Sequence, residues 1–211
     1  MRAFKAFNSD MTCTLGKGKY QYAEGETFTE SRAQAHETGF HCAEYILDCL
    51  NYYPESKDIV ICPVEALGDI DEDGQDTKIS CTILKVGQRL TWEEVVLEAI
   101  RYLIRHPKFR DPQIKTEEGK SSGAYCIVRG KSPVAAGAKG TILGMIQEDP
   151  HGKVQSIAIY KVNGKEIRPG RYYDIDGKEV KDVEKDGTEK TAKVKSHDKN
   201  KKPRSHKVQK G

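Results

Sequence analysis

The sequence predicts an α+β protein in four parts: a small mixed α/β N-terminal domain (1–108), a linker with a short Gly/Ala/Ser-rich connector (109–140), a C-terminal antiparallel β-meander (141–184) and a disordered basic tail (185–211). Three observations carry that expectation. In the first part, two stretches repeat apolar residues at helical spacing between apolar, strand-like runs. In the third part, helical spacing is lost, and Asn163-Gly164 and Asp176-Gly177 are hairpin signals, because both pairs tolerate positive φ. From Lys185 to Gly211, ten Lys/Arg stand against three Asp/Glu, and Val194 and Val208 stand alone as sizeable apolar residues. Such a segment buries too little to offset the entropy of ordering.

Taken in order, Ala3 to Phe7 alternates as a short strand, and glycines 16, 18 and 25 break the next stretch into turns around Tyr20 to Tyr22. Gly39-Phe40-His41-Cys42 leads into a predicted helix with Ala43, Ile46, Leu47 and Leu50 on one face, ended by Pro54. Ile59–Ala66 and Ile79–Leu90 read as buried strands of a hairpin with an acidic loop. The sharpest signal follows. Thr91 and Glu94 form a capping box, ahead of Trp92, Val95, Val96, Ala99, Ile100 and Leu103 at helical spacing, with Pro107 beyond. Arg110 to Lys120 is polar, and Ser121 to Gly140 is short of bulky residues. Thr141–Ile146, Val154–Val162, Arg171–Ile175 and Glu179–Val183 read as meander strands.

Composition narrows the function classes. No segment approaches the ~20 apolar residues of a membrane span. Met1-Arg2-Ala3-Phe4-Lys5 has no apolar leader core, so a cytoplasmic location is expected. The six cysteines include no Cys-x-x-Cys pair and are expected to be buried thiols. The net charge of +3 divides into +7 on the tail and −4 on the rest. A lysine-rich tail holds nucleic acid by charge, nonspecifically, since it lacks aromatics for base stacking. Three motifs fail on their own chemistry. Asp69-Ile70-Asp71-Glu72-Asp73-Gly74 opens like a calcium loop, but Ser80 stands where the bidentate Glu belongs. His36, His41 and Cys42 lack further metal ligands. Gly16-Lys17-Gly18-Lys19 lacks the spacing of a phosphate-binding loop.

The run Gly39-Phe40-His41-Cys42-Ala43-Glu44 resembles a family of uncharacterised phage and prophage proteins. Phe7-Asn8 closing the first strand, the turn Tyr22-Ala23-Glu24-Gly25, the helix end Leu47 to Tyr53, and Ile159 to Ile167 near the C-terminus extend the resemblance over about 170 residues. Many such relatives carry arrays of Gly/Ala/Ser repeats between these ends. The resemblance implies a phage or prophage origin and no particular activity. The order of elements also looks like that of ADP-ribosyltransferase folds, which bind NAD between two small sheets. That likeness implies roles for Arg2, His41, Tyr52 and Tyr53, but the late strand Ile79 to Val86 lacks the expected Glu. The leading expectation is therefore a non-enzymatic binding module with a protein partner in the host cytoplasm and no cofactor. A divergent NAD-using transferase is the alternative. The expected ligand-binding residues are His41, Phe40, Tyr53, Tyr52 and Arg2: a His beside aromatics gives an apolar cleft a polar handle. Limited proteolysis is expected to remove residues 185–211 and leave a folded body; protection of the tail in the isolated protein contradicts this.

Overall fold

The structure is a computed structural model that describes residues 1–13, 18–34, 37–53, 58–72, 74 and 77–181, without the side chain of Tyr52. The tail, His36, Gly16-Lys17, Pro54 and Asp73 lie outside the described residues. The architecture corrects the α+β expectation. Among the described residues there are thirteen strands, one α-helix and one 3₁₀ helix, so the protein is mostly β and built from several sheets.

The first body contains β1 (Arg2–Asn8), β2 (Thr12–Cys13), β3 (Tyr20–Gln21), β4 (Thr27–Thr29), β5 (Phe40–Ala43), β6 (Ile59–Glu72) and β7 (Lys78–Val86). The main sheet runs β4-β7-β5-β1-β6, and β6 also pairs with β7. Strands β1, β5, β7 and β6 thus close into a small barrel. One strand reaches both neighbours because β6 is 14 residues long: its first half pairs with β1, and its second half pairs with β7 across a bulge between Leu67 and Ile70. The barrel interior holds Ala3, Phe7, Phe40, Cys42, Cys62, Val64, Ile79, Cys81 and Leu84. Gly39, ahead of Phe40, has φ 88°, and a Cβ there would lie 2.6 Å from the Ser80 hydroxyl oxygen. That close approach is why the box begins with glycine.

The predicted helix after this box is a 3₁₀ helix, Ile46–Tyr52. Tyr45 precedes it and supplies no side-chain cap. Without a cap, seven residues adopt the tighter winding, in which Ile46 and Leu47 are both fully buried. The second helix matches its sequence signal. In α1 (Trp92–Arg105) the Thr91 hydroxyl accepts from the Glu94 amide and the Glu94 carboxylate accepts from the Thr91 amide.

The second body is where reading and structure part most. The expected linker and meander are β8 (Lys115–Ser121), β9 (Tyr125–Gly137), β10 (Ile142–Glu148), β11 (Val154–Lys161), β12 (Tyr172–Tyr173) and β13 (Glu179–Val180). Pairing is parallel between β8 and β9 and between β9 and β10. Tyr125 lies beside Ile142 and Glu118 beside Val134, offsets of 17 and 16 residues. No helix makes the crossover; the chain winds as a coil whose returning arm is itself strand. The corners stack. Glu117 sits at φ 60°, and its carboxylate accepts from the Lys131 and Ser132 amides at 2.8 and 3.0 Å, beside Gly130 of the next turn. The loss of bulky residues reflects this winding: a Cβ on Gly119 would lie 2.6 Å from Val128 Cγ2, and one on Gly137 the same distance from Thr141 Cβ. Only β10–β11 and β12–β13, the latter around Asp176-Gly177, are antiparallel hairpins of the expected kind.

Helix α1 joins both bodies in one core. Val95, Val96, Ala99, Ile100 and Leu103 share a cluster with Phe4, Ala6, Ile46 and Leu47 of the first body and with Ile127, Ile142 and Ile146 of the second. The core therefore crosses residue 108. Gly144 on β10 marks the closest approach, where a Cβ would lie 2.7 Å from Val96 Cγ1. Replacing a strand glycine by alanine ordinarily gains roughly 0.5–1 kcal/mol. For Gly144→Ala the sign is expected to reverse, to a loss of about 1–3 kcal/mol in chemical denaturation, because α1 must be displaced.

Candidate functional site

The alternation of β1 places Ala3, Lys5 and Phe7 on the barrel-facing side and Phe4 and Ala6 on the side toward α1. Lys5 is therefore an ammonium inside a barrel, with only 6% of its surface exposed. It donates to the His41 carbonyl oxygen at 2.7 Å and stands 5.7 Å from the Phe7 ring centre and 5.4 Å from that of Tyr22. Among the described residues no carboxylate pairs with it. Burying an ammonium costs several kcal/mol. One carbonyl and two desolvated ring faces, each worth about 2 kcal/mol at best, offset that cost.

The rings around Lys5 continue to the surface. Tyr20 packs on Tyr22, Phe40 and Phe28 at 4.8, 5.8 and 6.1 Å between ring centres, and Tyr22 also meets Phe7 at 5.0 Å. Exposure grades outward, from 2% for Phe40 and 6% for Tyr22 to 40% for Tyr20, with Phe28 half-buried. Burial pushes the Tyr22 phenol well above its ordinary range, so it stays neutral. Two thiols lie in the same interior. The register sets Phe40 opposite Cys81 and Cys42 opposite Ile79, which makes Cys42 and Cys81 diagonal neighbours. A hydrogen bond to Cys81 and burial raise the Cys42 thiol, and the same bond lowers Cys81. All six cysteines are unpaired thiols, and five of them are buried.

The expected site residues are distributed over this frame. Phe40 is part of the aromatic cluster. His41 is half-buried on the next position of β5, opposite Ser80, and contributes its carbonyl to Lys5. Tyr53 caps the 3₁₀ helix, packs against the helix-side core and donates its hydroxyl to Cys13 Sγ at 3.4 Å. Burial, then that contact, raises its phenol. Arg2 lies at the junction with α1, where it donates to the buried Glu98 carboxylate at 3.1 Å, a group shared with Arg101 at 2.8 Å. The Tyr52 side chain lies outside the description. The structure thus brings Phe40 and the His41 carbonyl together around Lys5 and places Arg2 in an ion pair with a helix. Lys5, Tyr20, Tyr22 and Phe28 were missed; a lysine on the inward phase of the Ala3–Phe7 alternation was the signal.

Two open grooves lie in the second body. One, of about 490 Å³, is lined by Lys120, Ser122, Gly137 and Gly170, and the other, of about 290 Å³, by Gln113, Lys115 and Tyr125. Among the described residues no group of three His, Cys, Asp or Glu side chains could hold a metal. Among the described residues no helix is long and apolar enough to cross a membrane.

Asp10 anchors the hairpin that carries Tyr20. Its carboxylate accepts from the Thr12 amide at 3.1 Å, the Thr12 hydroxyl at 2.5 Å and Lys19 Nζ at 2.9 Å. The Thr12 and Lys19 hydrogen bonds lower its pKa from 3.8 to about 2. A depressed carboxylate contributes stability that is whole above pH 3.8 and is lost as pH falls through about 2. A carboxyl NMR titration of Asp10 is expected to show its midpoint near 2, with the Tyr20 and Tyr22 ring signals shifting in step. A midpoint at the ordinary 3.8 contradicts the assigned bonds.

No curated protein and no solved structure matches the chain. Residues 1–98, which comprise the barrel, the aromatic cluster and the start of α1, match the model of a family described as a domain of unknown function, DUF7666.

Proposed function

We propose that the protein is a non-enzymatic binding module of phage or prophage origin that docks a protein partner in the host cytoplasm through the aromatic rim of its barrel. The observation behind this reading is Tyr20, a tyrosine 40% exposed yet backed by three further rings. Rigid, amphipathic aromatics on a packed base supply most of the binding energy at protein interfaces, because little side-chain entropy is lost on contact. Lys5 is a positioning residue in this reading: it holds Tyr22 and Phe7 by their faces, and Tyr20 rests on Tyr22. The basic tail adds nonspecific, salt-sensitive attraction to acidic surfaces or nucleic acid.

The test compares tagged full-length protein with its Tyr20→Ala and Lys5→Met variants. Partners retained from host extract are purified and titrated by calorimetry. Tyr20→Ala is expected to weaken binding by about 2 kcal/mol or more, with stability changed by about 1 kcal/mol or less. Lys5→Met keeps the length and removes a buried charge, so the fold is expected to hold or gain stability while affinity falls. Unchanged affinity in Tyr20→Ala overturns the assignment of the rim. Transfer of label from NAD to extract proteins would replace the binding reading with the transferase alternative.

A further inference from the structure

We infer that β11 is a self-association edge, along which two copies of the chain pair antiparallel about a twofold axis at Ala158. The inference begins with how the strand edges are finished. An exposed edge invites pairing unless it is short, charged or covered. Strands β4 and β13, at the ends of their sheets, are three and two residues long. Edge strand β8 reads Lys-Thr-Glu-Glu-Gly-Lys-Ser, so four of its seven residues are charged. Edge strand β11 is less defended: its one charge is the terminal Lys161, and its bulge against β10 falls near the other end, beside Gln155. It is eight residues long, reads Val-Gln-Ser-Ile-Ala-Ile-Tyr-Lys, and among the described strands pairs with β10 alone. Ile157 at its centre is 44% exposed, the highest value of any large apolar residue among those described.

The backbone says which groups face outward. Val162 uses both its amide and its carbonyl toward the neighbouring chain, donating to the Thr141 oxygen at 3.0 Å and accepting from the Gly140 amide at 2.8 Å. Hydrogen-bonded and non-hydrogen-bonded positions alternate along an antiparallel pair. Tyr160, Ala158 and Ser156 therefore bond to β10, and Lys161, Ile159 and Ile157 turn their amides and carbonyls to the open edge. A second copy must match these odd-numbered positions with its own. A twofold axis at Ile157 would set Lys161 against Lys153 of the other copy. An axis at Ala158 sets Ile157 against Ile159 and Lys161 against Gln155, which removes the like-charge pair and lets the isoleucines exchange both backbone bonds. Ile157 and Ile159 share the sheet face opposite Ile146 and Gly144, where α1 packs. Pairing covers Ile157, on the face of the sheet where α1 packs. The surface is thus self-complementary in backbone phase, charge and side-chain class, and its occupant is a second copy of this chain.

The test is the solution mass of the full-length protein by light scattering over a concentration series, with three variants. The wild type is expected to approach twice the chain mass of 23.6 kDa as concentration rises. Ile157→Lys puts a charge on the edge, and Ile157→Pro removes an outward amide that β10 does not use; both are expected to stay folded by circular dichroism and remain monomeric. Ala158→Cys places two thiols across the axis at a non-hydrogen-bonded pair, where side chains are closest, and is expected to give a covalent dimer on mild oxidation. A wild type that stays monomeric throughout, or a dimer that survives in a folded Ile157 variant, overturns the inference. A dimer that is lost in the Ile157 variants but not cross-linked through Ala158→Cys overturns the stated axis and the proposal with it.

Discussion

Helix α1 lies between two β bodies that share no strand, and the molecule depends on its being held by both. Its apolar face meets Phe4, Ala6, Ile46 and Leu47 of the barrel and Ile127, Ile142 and Ile146 of the coil. The fit is tight on the coil side, where the absent side chain of Gly144 makes room for Val96 and Ile100. Polar groups fix the direction of the helix. Arg2 reaches Glu98 from the barrel, Lys161 reaches Glu93 from the coil, and the capping box sets the first turn. The exposed Lys161–Glu93 pair adds little energy by itself, and Arg2 brings its own exposed guanidinium to the buried Glu98. Their value here is orientation, since a helix buried on a broad apolar face would otherwise be free to roll.

The segment between α1 and β8 shows the same economy. Tyr45 donates to Asp111 at 2.6 Å and Tyr125 donates to Gln113 at 2.6 Å, so a polar stretch is tied to the barrel at one residue and to the coil two residues later. Asp111 in turn accepts from the Gln113 amide at 2.8 Å. A run that looks like solvent-exposed chain in composition is a strap, because its polar side chains are used on neighbouring aromatics. The aromatic rim of the barrel is organised by similar means. A charge is placed inside, where the available compensation is ring faces and one carbonyl, and the rings are ordered by it.

What was legible in the sequence was short in range. Thr91 and Glu94 lie three residues apart and announce the helix start; Asp176-Gly177 announces its hairpin; the runs at Ala3, Ile59 and Ile79 announce strands that are present as β1, β6 and β7. Range also explains the failures. Ala43, Ile46, Leu47 and Leu50 have helical spacing, yet nothing caps the segment and barrel packing selects a 3₁₀ turn. Ser121 to Gly140 lacks bulk because Val128 and Thr141 crowd Gly119 and Gly137, contacts that exist only once the chain has wound round. Parallel pairing between Tyr125 and Ile142 leaves no local mark at all, since each strand alternates as it would in a meander. For the candidate site, Phe40 and His41 were found through the box that contains them. Lys5 needed one further step, the recognition that a strand facing inward at Ala3 and Phe7 must also face inward between them.

The parallel winding has a consequence for how length can change. Both ends of one coil turn, near Tyr125 and Ile142, lie side by side in neighbouring strands, so the chain leaves a turn almost where it entered. Parallel strands stack at about 4.8 Å. Duplication of the turn from Tyr125 to Ile142, 17 residues in every paired position of β9 and β10, would therefore displace everything beyond it by a single strand spacing along the stack while preserving its orientation. Most insertions into a β fold break a register or reverse a face. Here a whole-period insertion is a translation, and the second body can act as a ruler that grows in fixed increments.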